Sequence, residues 1–156
     1  KNEVVDKKFG DYSLGERVVL FLTESEWGKQ KIIHFNNFFS FVKLLQKFKM
    51  EQTLACDTIR TNIVGNPKHI IDDKKLLRGE YDWRVSNTDV TYFKWKDNRI
   101  IHLASNFHGH EKGVVQRKNQ KGNTIEIRTP KAVQDYNCFM GSLIVSRKNG
   151  GIFWIH

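Results

Sequence analysis

Cysteine, proline and long apolar runs are all scarce in this chain of 156 residues. Two cysteines, Cys56 and Cys138, cannot build a disulfide framework and point to a reducing compartment. Two prolines and eleven glycines exclude a collagen-like or low-complexity chain. The longest apolar run, Val18 to Leu22, is five residues, whereas a membrane-spanning helix takes about 20, so no membrane partner is expected. No signal peptide is evident, and the opening on Lys1 rather than Met reads as a piece of a longer protein. P-loop, dinucleotide, HExxH and Gly-x-Ser-x-Gly patterns are missing as well, which removes the commonest nucleotide, zinc-protease and hydrolase chemistries.

What is present suffices for a packed core. Hydrophobic residues make up 39% and aromatics 12%, and the length fits one domain over 1–156. Charge is lopsided. The formal net charge is +9, and residues 94–148 carry 11 basic and 4 acidic side chains, while residues 1–93 carry 15 and 13. Lys96, Arg99, Arg117, Lys118, Lys121, Arg128, Arg147 and Lys148 make this second part a candidate for tracking the phosphate backbone of a nucleic acid. A solvated, solubilising surface is the competing reading.

Periodicity sketches the elements. Leu14 to Thr23 is a short helix or a strand, and Lys31 to Phe35 a buried strand. Asn36-Asn37 suit a helix N-cap, ahead of a helix over 38–49 with Phe38, Phe41, Leu45 and Phe48 on one face. Thr53 to Thr61 reads as a strand, Gly65-Asn66-Pro67 as a loop, and Lys74 to Glu80 as a turn entering the next strand. Two hairpins follow, Val90–Trp95 with Arg99–Ser105 and Val114–Lys118 with Asn123–Arg128. Thr129-Pro130 then caps a helix over 130–139. The order β-α-β-β-β-β-β-α is that of a mixed α/β domain.

Reactive side chains give little direct chemistry. His34, His102, His108 and His110 could suggest zinc, with His108 and His110 on one face if they lie in a strand, but no cysteine pair is near and Glu111 is the only close carboxylate. Cys56 and Cys138 read as buried, inert thiols. Asp72-Asp73 and Glu80 with Asp82 read as solvated surface.

Six segments, in order, resemble the piggyBac transposase family and its domesticated derivatives. Leu14-Gly15-Glu16-Arg17-Val18-Val19 resembles the stretch leading into the catalytic domain. Phe35 to Ser40 (FNNFFS) resembles "fDNfFtS", Cys56 to Asn62 (CDTIRTN) resembles "GTvRxN", and Lys75 to Glu80 (KLLRGE) resembles "kxlkrGe". Trp95 to Arg99 (WKDNR), with Leu103 to His108 (LASNFH), resembles "WkDnrxVxxlSnxh". Pro130, Asp135-Tyr136-Asn137 and Met140-Gly141 resemble "PxxvxdYNxxMGGVD". The resemblance implies an RNase H-like mixed sheet with flanking helices, here incomplete, and an aspartate triad that holds Mg²⁺ in active members. Such a site needs several carboxylates around two ions about 3.5–4 Å apart.

The family's acidic positions fall on Asn36, Gly109 and Ile144, none of them acidic. Asp97 and Glu111 are the acidic candidates close to the second. Val145-Ser146-Arg147-Lys148 resembles a "vSRKsxkWW" element that normally lies further on, which suggests a short deletion around the third. The resemblance therefore implies a transposase-derived protein without transposase activity and without an expected cofactor. It also implies DNA as partner, a homodimer and a nuclear location. A decayed element with no selected function, and an active transposase with atypical ligands, are the alternatives. The apolar ending Gly150 to Ile155 is expected to lack its natural packing partner.

Overall fold

The computed structural model describes residues 8–35, 42–61, 65–139, 144–147 and 152–154, the last two segments by their backbone alone. Helix α1 (Leu14–Thr23) opens on a capping box: Glu16 N–H donates to Ser13 Oγ at 3.5 Å, and Ser13 N–H donates to Glu16 Oε2 at 2.7 Å. This reciprocal bonding satisfies free donors of the first turn and decides for a helix where the apolar run alone left a strand open. Strand β1 (Lys31–Phe35) follows, then helix α2 (Val42–Met50) and strand β2 (Leu54–Thr58). The expected start of α2 at 38 and its Asn36-Asn37 cap lie outside the described residues. Strand β2 is shorter than the expected Thr53–Thr61, and Ile59 leaves the ladder with its N–H donated to His102 O.

Strands β3 (Tyr81–Val85), β4 (Thr91–Lys96) and β5 (Ile100–Ser105) form a meander, and β6 (Lys112–Lys118) with β7 (Thr124–Pro130) a separate two-stranded ribbon. Helix α3 (Lys131–Asn137) begins one residue later than expected. Pro130 is its N-cap and also the last residue of β7, and no side chain caps this end. Strands β8 (Ile144–Arg147) and β9 (Ile152–Trp154) complete the chain order. The sequence pattern predicts no separate strand at Tyr81–Val85 and none at β8 or β9. The apolar ending, expected to lack a partner, supplies β9 instead, which pairs antiparallel with β8.

The main sheet has the order β3-β4-β5-β2-β1-β8-β9. Only β1 and β2 run parallel, joined through α2, and the other described neighbours are antiparallel. This is a mixed sheet. One face carries Ile33, Phe35, Ala55, Tyr92 and Ala104, and α1 and α2 cover it with Val19, Leu20, Leu44, Leu45 and Phe48. The other face carries Cys56, Phe93, Trp95 and Leu103 under Ala132, Val133 and Tyr136 of α3 and Val115 of the ribbon. Strand side chains alternate between faces, so a buried sheet needs apolar residues at successive positions, as in Thr91–Lys96, where five of six are buried. Trp95 pins the ribbon to the sheet by donating from its indole N–H to Arg128 O at 2.8 Å.

Asn106 locks the junction beneath β5. Its Oδ1 accepts from Ala55 N–H at 2.8 Å, and its Nδ2 donates to Thr53 O at 2.9 Å and Leu45 O at 3.2 Å. A buried amide with each group partnered adds both rigidity and register.

Candidate nucleic-acid interface and the acidic positions

Register brings His34 of β1, Cys56 of β2 and Ser105 of β5 into one row across the sheet. Helix α3 lies over this row. Tyr136 donates its hydroxyl to Phe35 O at 3.2 Å and lies 3.4 Å from Thr58 Oγ1. Past the end of β5, His108 turns inward. Its Nδ1 pairs with Ser105 Oγ at 2.8 Å, and its Nε2 with Asp135 Oδ2 at 3.1 Å, while Lys131 also holds Asp135. Burial is the larger influence and lowers the His108 pKa, against the pull of Asp135. For Asp135, burial works upward, but Lys131 and His108 together hold its carboxyl below the usual range. Ser105 is fully buried, so this Ser-His-Asp line joins β5 to α3 and presents no nucleophile to solvent.

The resemblance carries the family's acidic positions onto Asn36, Gly109 and Ile144. Asn36 follows directly on β1 and lies outside the described residues. Ile144 is in β8, opposite His34. Gly109 follows His108, and a Cβ built there would meet Glu111 Oε1 at 3.2 Å and Oε2 at 3.3 Å. The Glu111 carboxyl thus packs against Gly109. Asp97, the other acidic candidate, is at the remote end of the β4–β5 hairpin and is held by Arg78 and Arg117. Among the described residues, no three His, Cys, Asp or Glu side chains converge on a point that could take a metal ion. An amide position, a glycine and an isoleucine do not make the hard, anionic oxygen cage that Mg²⁺ demands, so these residues do not fit the ion of the active family.

The histidines are dispersed. His34 is buried and stacked on Phe139 at 4.5 Å, and neither ring nitrogen has a partner among the described residues. His102 Nδ1 meets the Tyr92 hydroxyl at 2.6 Å. Residues 108–110 are not a strand, so the shared face expected for His108 and His110 does not exist; His110 stacks on Trp83 instead, at 5.0 Å. Cys56 is buried as expected, and burial pushes its thiol well above the ordinary range. Cys138 is exposed, contrary to expectation, because α3 ends just before it. The acidic pairs lie at the surface as expected, Asp72, Asp73 and Glu80 exposed and Asp82 half-buried, but each has a local partner. Asp72 caps a short 3-10 turn, Asp73 pairs with Lys94, Glu80 accepts from Leu77 N–H, and Asp82 accepts from Ile71 N–H.

The cations gather on the ribbon and the neighbouring turn. Strand alternation places Val115 and Ile127 on the inner face of the ribbon and Lys112, Val114, Gln116, Lys118, Glu126 and Arg128 on the outer one. The tip is set by Asn119, whose Oδ1 accepts from Lys121 N–H and Asn123 N–H, both at 2.9 Å, while Gly122 takes φ +79. An Asx turn closed by a positive-φ glycine suits this geometry. Lys118, Lys121 and Arg128 are exposed, as is Arg99 on the adjacent β4–β5 turn, and none of the four has an ion-pair partner among the described residues. Lys112 and Arg78 join this surface without having been singled out from the sequence. Arg117 is a correction: it points inward to Asp97 rather than standing free on the outer face. Arg147 lies in β8, and Lys148 is outside the described residues.

This mixed sheet with helices on both faces has the RNase H-like arrangement. A family model described as Transposase IS4 matches residues 3–149. Human "PiggyBac transposable element-derived protein 3" is 31% identical over 144 residues, covering 87% of this chain and 24% of that protein. The human "Chimeric ERCC6-PGBD3 protein" is 31% identical over the same length, with 14% of that protein covered. A cryo-EM structure of the piggyBac transposase synaptic complex with hairpin DNA superposes with a TM-score of 0.62 at 18% identity, over 81% of this chain and 25% of that one. The chain belongs to the piggyBac transposase family, and it spans about a quarter or less of the relatives it matches.

Proposed function

We propose that this chain is a transposase-derived DNA-binding unit that does not cut DNA. The observation that carries this reading is the run of exposed cations, Lys112, Lys118, Lys121 and Arg128, on the ribbon, continued by Arg99 on the next turn. A two-stranded ribbon is narrow enough to lie along or in a groove, and cations on it gain affinity by releasing the counterions of the phosphates they meet. The non-acidic residues at 36, 109 and 144 support the loss of cutting, since two-metal transfer depends on the charge that carboxylates supply. No described helix is long and apolar enough to cross a membrane. This reading expects a nuclear location, where DNA is the partner, and is compatible with a homodimer.

The test is fluorescence anisotropy of a labelled duplex over a salt series. If four cations each neutralise one phosphate, log K falls against log salt with a slope of roughly −3 to −4, at about 0.9 per contact. Lys118→Gln with Lys121→Gln is expected to reduce that slope by about 2 and to leave folding intact. Absence of salt-dependent binding would sink the DNA reading, and Mg²⁺-dependent nicking of a transposon-end duplex would sink the non-catalytic one.

A further inference from the structure

Three chain segments distant in sequence meet at the outer end of the β4–β5 hairpin. Gly79 N–H donates to Lys96 O at 2.7 Å, Lys96 N–H to Glu80 O at 3.0 Å, and Asp97 N–H to Arg99 O at 3.0 Å. At this junction the Asp97 carboxylate, with 9% of its side chain exposed, holds two guanidinium groups. Oδ1 takes Arg78 through Nε at 3.0 Å and Nη2 at 2.9 Å, and Oδ2 takes Arg117 through Nε at 2.8 Å. Arg117 also donates from Nη1 to Gln116 O at 3.1 Å. Burial works to raise the Asp97 pKa, but the Arg117 and Arg78 guanidiniums together hold its carboxyl below the usual range, so it is ionised.

One carboxylate needs one cation for balance. Here it holds two, and Lys96, Arg99 and Lys118 stand nearby on the same turn and strand. A guanidinium has five N–H donors, and on both arginines three remain beyond these bonds. The two side chains are 35% and 33% exposed, so their outer edges reach solvent while their inner edges are fixed. Two planar forks held in place by a buried acid, with excess positive charge, form a pre-organised receptor for a tetrahedral oxyanion.

We propose that Arg78 and Arg117 grip one phosphodiester of bound DNA, and that Asp97 is the positioning residue that aligns them. This inference rests on the DNA-binding reading and adds to it a specific phosphate site. It also makes a prediction opposite in sign to simple electrostatics. Were the basic surface only a diffuse attractor, removing the negative charge of Asp97 would tighten DNA binding. With Asp97 as the aligner, its removal weakens binding because both forks lose their fixed orientation.

The experiment compares duplex affinity of the wild-type chain with that of Asp97→Asn, Arg78→Lys and Arg117→Lys at one salt concentration, folding being checked by circular dichroism. The expected result is about a tenfold loss for Asp97→Asn and at least about a threefold loss for each Arg→Lys variant, although the latter keep their charge. Should Asp97→Asn fail to fold, Arg78→Lys carries the test, because the Asp97–Arg117 pair remains. Wild-type binding with equal or tighter binding by these variants would overturn the phosphate site and leave the DNA reading standing. No wild-type binding would overturn both. NMR of the arginine Nε–H resonances separates the sources of phosphate. Shifts on adding duplex alone assign the site to DNA, and shifts with millimolar inorganic phosphate as well support a general oxyanion site at the same forks. Resonances unmoved by either refute it.

Discussion

His34 offers a direct test of the core beneath α3. It is 1% exposed, stacked on Phe139, and has no described partner for either ring nitrogen. Burial lowers its pKa from 6.5 to about 4, with the nearby His108 adding to the shift and Asp135 opposing it. Between these two values the unfolded chain binds a proton at this position that the folded chain does not. Stability therefore rises with pH across this window, is complete above about 6.5, and is lost as pH falls toward 4. Each pH unit corresponds to about 1.4 kcal/mol, so the loss between pH 6.5 and 5 is about 2 kcal/mol. For a domain of this size that is about 4–8 °C in Tm. His102 and His108 are also lowered by burial and slope the same way. The His34 share is thus the difference between the wild-type profile and that of His34→Phe. At pH 7.5 the aromatic replacement is expected to stay within about 1.5 kcal/mol of wild type. At pH 5 it should have lost about 2 kcal/mol less than wild type over the same interval. Thermal unfolding at half-unit pH steps reads this out, and parallel profiles for the two proteins would refute the assignment of a neutral, unpaired imidazole.

Other substitutions test the remaining arguments. Asp57 is fully buried with neither oxygen partnered among the described residues, and burial raises its pKa well above the usual value despite the neighbouring Thr58 groups. Its contribution falls as pH rises from about 4 toward its folded pKa, so Asp57→Val is expected to stabilise by about 1–3 kcal/mol at pH 7 and by less at pH 4, measured by urea unfolding. Asn106→Ala strands Ala55 N–H and the carbonyls of Thr53 and Leu45, and should cost about 2–4 kcal/mol in the same assay. A Cβ at Gly113 would meet Gln134 Oε1 at 2.5 Å and the Lys131 backbone at 3.1 Å. Gly113→Ala should therefore loosen α3 from the ribbon at a cost of about 1–3 kcal/mol, with faster amide exchange in 131–137. Edge strand β3 is guarded at Trp83, whose N–H is taken by Asp82 Oδ1 and whose carbonyl is taken by Arg84. Replacing both guards with threonine should promote edge-to-edge association, seen as a concentration-dependent mass by light scattering.

The parts of the fold legible in the sequence are those with local causes. Both hairpins carry their turns within them, at Asp97-Asn98 and at Asn119 to Gly122, and α3 follows a proline that fixes its first φ. Strand β3 is not legible because Asp82 and Arg84 break its apolar pattern, and their roles are supplied by Ile71 and by the open sheet edge. Strands β8 and β9 are four and three residues long, and their pairing, β8 with β1 and β9 with β8, is set by the tertiary fold rather than by a local pattern. The candidate interface divides in the same way. Lysines on the ribbon tip were visible as an excess of charge. Arg117 looked identical to them in sequence, yet it is tied to an acid 20 residues away, and Arg78 reaches the same acid across 19. Composition counts charges one by one, while recognition depends on which of them are held still. Asp97 shows the difference: in a tally it subtracts one from the basic surface, but in the fold it fixes two arginines that would otherwise wander. Lys118 and Lys121 are then expected to govern how strongly DNA affinity falls with salt, and Arg78 and Arg117 how far it survives exchange of arginine for lysine.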